Sequence, residues 1–114
     1  MPRNKFGAVK TWVDGIEFAS KAEARRYGEL KMLERAKQIT ALQVQPKFLL
    51  IPQTRRPDGV LERPTHYLGD FEYVDAGGQR VIEDVKSPAT RTPVYILKRK
   101  LMLQVLGIAV REIG

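Results

Sequence analysis

The chain contains no cysteine and a single histidine. Disulfides and thiolate metal sites are therefore excluded, and a zinc site or a histidine-based triad lacks its ligands. No apolar run is long enough to span a bilayer, and no charged start leads into an apolar signal core, so the expectation is a cytosolic protein without a membrane partner. Acidic residues are also scarce: 13 Asp and Glu stand against 20 Lys and Arg, a net charge of +7. Such an excess on a small domain favours a polyanionic partner. Low-complexity tracts and internal repeats are absent. The 114 residues, 43% of them hydrophobic, suffice for one globular domain and its core, but not for two.

What is present centres on Tyr67-Leu68-Gly69-Asp70-Phe71-Glu72-Tyr73 and, after the turn Asp75-Ala76-Gly77-Gly78, on Val81-Ile82-Glu83-Asp84-Val85-Lys86. Aromatic and β-branched residues separated by a turn signal read as two strands. Side chains alternate along a strand, so Asp84 and Lys86 share a face with Ile82, while Val81, Glu83 and Val85 share the other. If the hairpin register brings Asp70 round, two carboxylates and an ammonium meet at one spot. Mg²⁺ takes oxygen ligands and needs only one or two carboxylates, leaving positions for water and substrate phosphate. A neighbouring lysine can orient the attacking water or balance charge on the phosphate. Taken alone, the Asp84-Val85-Lys86 tripeptide is equally well explained as a salt bridge on an edge strand.

Residues 1–10, with Arg3, Lys5 and Lys10, read as a basic arm, and residues 11–18 as a hairpin turning at Asp14-Gly15, with Trp12 or Phe18 packed on the domain. A helix follows from Ser20 to Gln38, Ser20 and Glu23 forming a capping-box pattern and Tyr27, Leu30 and Leu33 an apolar stripe. Glu23 lies near the middle of that stripe and has two readings, one as a cap partner and one as an acid aimed at the sheet. Arg25, Arg26, Lys31, Arg35 and Lys37 read first as a solvated helical face and second as a DNA contact. Gln43 to Ile51 reads as a strand. Pro52 to Thr65 is a polar loop with Arg55, Arg56 and Arg63, joining strands expected to pair antiparallel. His66 is expected to be structural. After the connector containing Arg91, a helix from Pro93 to Leu106, capped by Thr92, should turn Val94, Leu97, Leu101 and Val105 to the sheet and carry Lys98, Arg99 and Lys100 on its other sides. Gly107 stops it, and Ile108 to Ile113 supplies a last strand parallel to the Asp84 strand. Arg55, Arg56, Arg63, Arg91, Lys98 and Arg99 are the candidate DNA contacts.

The order of these elements and the Asp70…Asp84-Val85-Lys86 spacing resemble the PD-(D/E)XK nuclease superfamily, with Gly69 where its motif has proline. Gly15-Ile16-Glu17-Phe18, Ser20-Lys21-Ala22-Glu23-Ala24-Arg25-Arg26-Tyr27 and Gln45-Pro46-Lys47-Phe48 look similar to small phage and prophage proteins assigned to that superfamily. The resemblance covers roughly residues 20–113. It implies a restriction-endonuclease-like αβββαβ α/β core with a mixed sheet flanked by helices. It also implies Mg²⁺ or Mn²⁺ held by Asp70 and Asp84 with Glu23 nearby, Lys86 positioning the attacking water, and DNA as substrate. Junction resolvases of this kind act on branched DNA as dimers, which extends the expectation to a structure-specific endonuclease and a homodimer in a phage's host cytoplasm. Two other classes stay open: a nucleic-acid-binding module without turnover, and a basic structural protein of a virion.

Overall fold

The structure is a computed structural model and describes residues 9–114; most of the expected basic arm, including Arg3 and Lys5, lies outside the described residues. β1 (Thr11–Val13) and β2 (Ile16–Phe18) pair antiparallel as a hairpin. Asp14 and Gly15 both take positive φ, 53° and 76°, as a tight two-residue turn requires. Phe18 is buried, whereas Trp12 is exposed.

α1 (Lys21–Arg35) starts where Ser20 Oγ accepts from the Glu23 N–H at 3.1 Å. It ends with Lys37 at φ 59° and Gln38 N–H donating to Leu33 O, a left-handed terminus made without glycine. Its buried face is Ala24, Tyr27 and Leu30. Leu33, expected on that stripe, is exposed.

The stretch read as one strand from Gln43 to Ile51 is two: β3 (Thr40–Val44) and β4 (Lys47–Ile51), divided at Gln45, which has φ 56°. The expected polar loop contains a small ribbon, β5 (Thr54–Arg55) against β6 (Leu61–Glu62). The Asp70 stretch is likewise divided, into β7 (Thr65–Leu68) and β8 (Phe71–Val74), with Gly69-Asp70 at the break. A Cβ at Gly69 would stand 3.3 Å from both Ile82 Cγ2 and Pro46 Cγ, so the close approach of Pro46 and β9 (Arg80–Val85) selects glycine here. α2 (Pro93–Leu106), capped by Thr92 and stopped by Gly107 at φ 70°, leads to β10 (Arg111–Ile113).

These strands form a mixed four-stranded sheet in the order β10-β9-β8-β3, with β10 parallel to β9 and the other pairs antiparallel. β3 carries a bulge between Thr40 and Gln43, with Ala41 at φ 56°. β4 and β7 pair antiparallel in a separate two-stranded sheet. Among the described residues the fold is thus mixed α/β with two α-helices. The core has two halves. Phe18, Ala24, Tyr27, Leu30, Ile39, Phe71, Tyr73 and Val81 pack together on the α1 side, and Leu50, Tyr67, Ile82, Tyr95 and Met102 pack together with α2. Val81 and Ile82 feed opposite halves, which confirms the alternation read from the sequence.

On α2 the expected inward stripe holds only at Leu101, which packs against the second half of the core. Val94 and Leu97 are 63% and 58% exposed and Val105 is also exposed, while Tyr95 and Met102 are buried. Nine of its fourteen residues are large and apolar and they lie on more than one side, so periodicity alone does not choose its inner face.

Candidate functional site

β8 and β9 place the acids. Phe71 pairs with Glu83, so one step along the same antiparallel register sets Asp70 beside Asp84. Asp70 lies just outside β8 and is held by its backbone and side chain: its N–H donates to Glu83 O (3.0 Å), its carbonyl accepts from Gln45 N–H (2.9 Å), and its Oδ2 accepts from Val85 N–H (2.6 Å). The left-handed Gln45 is what aims that N–H at Asp70. Asp84 is 2% exposed; its Oδ2 accepts from the Tyr67 hydroxyl and its Oδ1 pairs with Lys86 Nζ at 2.9 Å. The Lys86 ammonium also lies 4.2 Å from the centre of the Tyr95 ring, a cation–π contact. Tyr67 and Tyr95 are both kept neutral, first by burial and next by the carboxylates their hydroxyls serve, Asp84 and Glu112.

Burial, then Asp84, then Glu23 push the Asp70 carboxyl up to about 9, against the opposing pull of the Val85 N–H. Glu23 accepts a hydrogen bond from Ser20 Oγ at 3.2 Å and lines the same cleft as Asp70, whose carboxyl its charge helps to push up. Among the described residues no group of three or more His, Asp or Glu side chains is gathered tightly enough to enclose an ion on its own. A two-carboxylate site for a hard cation, completed by water and phosphate, matches the pair Asp70 and Asp84.

Two clefts meet at this point. The first, about 510 Å³, is lined by Lys47, His66, Tyr67, Asp84, Val94 and Lys98, among others. The second, about 550 Å³, is lined by Ser20, Ala22, Glu23, Ser87, Thr90 and Gly114, among others. Asp70, Lys86, Thr92 and Tyr95 border both. His66, expected to be structural, is half-buried on the wall of the first cleft.

The expected DNA contacts are dispersed. Arg91 and Arg99 converge on Glu112, at 2.9 and 2.6 Å, and Tyr95 donates to the same carboxylate. Those donors, Arg99 first, hold Glu112 below the usual carboxylate range. Arg55 donates to Gly59 O, and Arg56 pairs with Asp58 and Glu62, so both brace the β5–β6 ribbon. Arg63 is exposed beyond it, and only Lys98 of the six lines a cleft at Asp70.

Sequence reasoning missed a second charged centre. Glu83 is fully buried on the α1 side of β9, where Arg26 holds it through Nε (2.8 Å) and Nη2 (2.6 Å) and Tyr73 donates a third hydrogen bond. Arg26 reads as a surface cation, yet its spacing from Leu30 puts it on the flank of the inner face. An acid between Val81 and Val85 was the available signal for a buried partner.

The fold and site together define a mixed α/β protein with one aspartate at a strand break, a second on the adjoining strand and a lysine at the meeting of two clefts. Residues 3–107 match the family described as "Protein of unknown function (DUF1064)", and the chain belongs to that family. No curated protein and no solved structure matches it.

Proposed function

We propose that the chain is a metal-dependent endonuclease of the PD-(D/E)XK type that hydrolyses phosphodiester bonds in DNA, with its elements arranged as a restriction-endonuclease-like αβββαβ core. The observation that carries the reading is the convergence of Asp70, Asp84 and Lys86 at the junction of two clefts, where burial, then Asp84 and Glu23, push the Asp70 carboxyl up to about 9. Such a site favours a cation that can displace the proton. Asp70 and Asp84 would hold Mg²⁺ or Mn²⁺, with Glu23 adjoining. When bound, the cation supplies charge neutralisation on the phosphate and a more acidic water. The chain's own groups fix the rest: Val85 N–H and the Tyr67 hydroxyl orient the two carboxylates, and Lys86 is placed to position the attacking water or to neutralise the developing charge. Branched DNA as preferred substrate, a homodimer covering the exposed Leu97, Leu103 and Val105 of α2, and action in a host cytoplasm belong to the same proposal; no described helix is long and apolar enough to cross a membrane.

The test is incubation with linear and branched DNAs in Mg²⁺, Mn²⁺, Ca²⁺ and chelator. Cleavage is expected in the first two, binding without cleavage in Ca²⁺, and a rate lowered about 10²–10³-fold by Lys86→Ala, the usual scale for loss of one transition-state partner. Robust cleavage in chelator contradicts the proposal. Binding that persists while no cation supports cleavage selects the second reading, a nucleic-acid-binding module.

Glu23→Gln separates the two roles of that side chain. Glutamine still serves a capping box but lacks the charge, so this variant is expected to melt near wild type and lose most of its cleavage. Full activity in a stable Glu23→Gln protein assigns Glu23 to the cap alone.

A further inference from the structure

We infer that the cleft between the β4–β7 sheet and the start of α2 is a phosphate track, in which Lys47 and Lys98 hold backbone phosphates of the strand on one side of the bond to be cut. The inference rests on the nuclease reading for the position of that bond, and on four features of the cleft itself. It opens directly onto Asp70, Asp84 and Lys86, so a strand lying in it presents its next phosphate to them. Beyond the two aspartates, its charged and ionisable lining consists of Lys47, Lys86, Lys98 and His66, all of them donors to phosphate oxygen, together with the buried hydroxyls of Tyr67 and Tyr95.

Availability is the third feature. Several described cations have no carboxylate within salt-bridge distance, Arg35 and Lys37 among them, and of these Lys47 and Lys98 are the two that line this cleft, whereas Arg26, Lys31, Arg56, Arg80, Arg91 and Arg99 pair with carboxylates. Cations left without an acid beside a two-carboxylate site are matched to an anion from outside. The fourth feature is contrast. The cleft on the other side of Asp70 has no cation except the shared Lys86, and its wall is Glu23 with small neutral residues. Phosphates are thus favoured on one side of the cut and disfavoured on the other. Leu68 and Val94, both exposed in the first cleft, give the sugars and bases an apolar wall beside the two lysines.

Binding of a fluorescein-labelled oligonucleotide, followed by anisotropy in chelator between 50 and 200 mM salt, tests this without turnover. Each phosphate contact contributes about 0.7 to 0.9 to the slope of log K against log salt, so Lys47→Gln/Lys98→Gln is expected to lower the slope by about 1.4 to 1.8 and weaken binding at low salt about tenfold or more. Arg35→Gln/Lys37→Gln removes the same charge from the exposed end of α1 and is expected to leave the slope unchanged. An unchanged slope in the Lys47/Lys98 variant, with native circular dichroism, overturns the track even if the wild type cleaves DNA. Equal losses in both double variants also overturn it, since net charge alone then accounts for binding. A flattened slope confined to Lys47/Lys98 supports the track even if no cation supports cleavage, in which case the catalytic proposal alone fails.

Discussion

Asp70→Asn is expected to raise the melting temperature of the metal-free protein at pH 8 while reducing cleavage below detection. In the folded protein the Asp70 carboxyl is pushed up to about 9 from an ordinary 3.8 by burial, Asp84 and Glu23. The folded state thus keeps a proton that the unfolded chain releases, so the stability this group contributes is fully present below about pH 4. It is lost as the pH rises towards and through 9, at up to about 1.4 kcal/mol per pH unit. Asparagine is neutral at every pH and can still accept from Val85 N–H, so it removes that dependence. A stabilisation of 1 kcal/mol corresponds to roughly 4–8 °C in a domain of this size, so thermal melts from pH 5 to 9 in chelator resolve the difference. Added Mn²⁺ should raise the wild-type midpoint and leave the variant's unmoved, with wild-type affinity rising about tenfold per pH unit from 6 to 8 as one proton is displaced. Matching pH profiles for the two proteins would show that Asp70 carries no trapped proton.

Arg26→Ala is expected to cost about 3–5 kcal/mol, the usual penalty for removing one partner of a buried pair and leaving the other charge uncompensated. Glu83 is 0% exposed and takes both nitrogens of the Arg26 fork, so no water replaces what is lost. The Arg26 side chain is itself only 20% exposed, and Glu83 raises its already high pKa further. Urea unfolding followed by tryptophan fluorescence and circular dichroism gives the number. In the double replacement Arg26→Met/Glu83→Leu no stranded charge remains, and the loss should be much smaller. A cost below about 1 kcal/mol for Arg26→Ala would show that the pair does not carry the stability assigned to it.

Both experiments act through β9, the element most legible in the sequence. Its alternation put Asp84 and Lys86 on one face and Glu83 on the other, because a period of two leaves no other choice once both faces are buried. Local chemistry was also readable: Asp14-Gly15 as a turn, Ser20 and Thr92 as caps, and Gly107 as a stop. Two kinds of feature were hidden. The breaks at Gln45 and Gly69-Asp70 had local signals in Pro46 and Gly69, but how the divided strands pair depends on packing between segments far apart in the chain. Partner choice was hidden for the same reason. Arg26 reaches Glu83 across 57 positions, and Arg91 and Arg99 turn to Glu112 instead of solvent. A cation's address in the fold, and hence whether it is free for phosphate, is set by tertiary structure.

The bulge in β3 bears on how copies of this protein meet. In the described residues β3 and β10 are the two outer strands of the four-stranded sheet, and unpaired outer strands invite another chain to add on through main-chain hydrogen bonds. The left-handed Ala41 breaks the row of donors and acceptors on one side, and on the other β10 is three residues long with charged Arg111 and Glu112. Neither border offers a regular template. Growth of the sheet from molecule to molecule is thereby discouraged, and the homodimer proposed above would have to form through side-chain surfaces such as the outer face of α2.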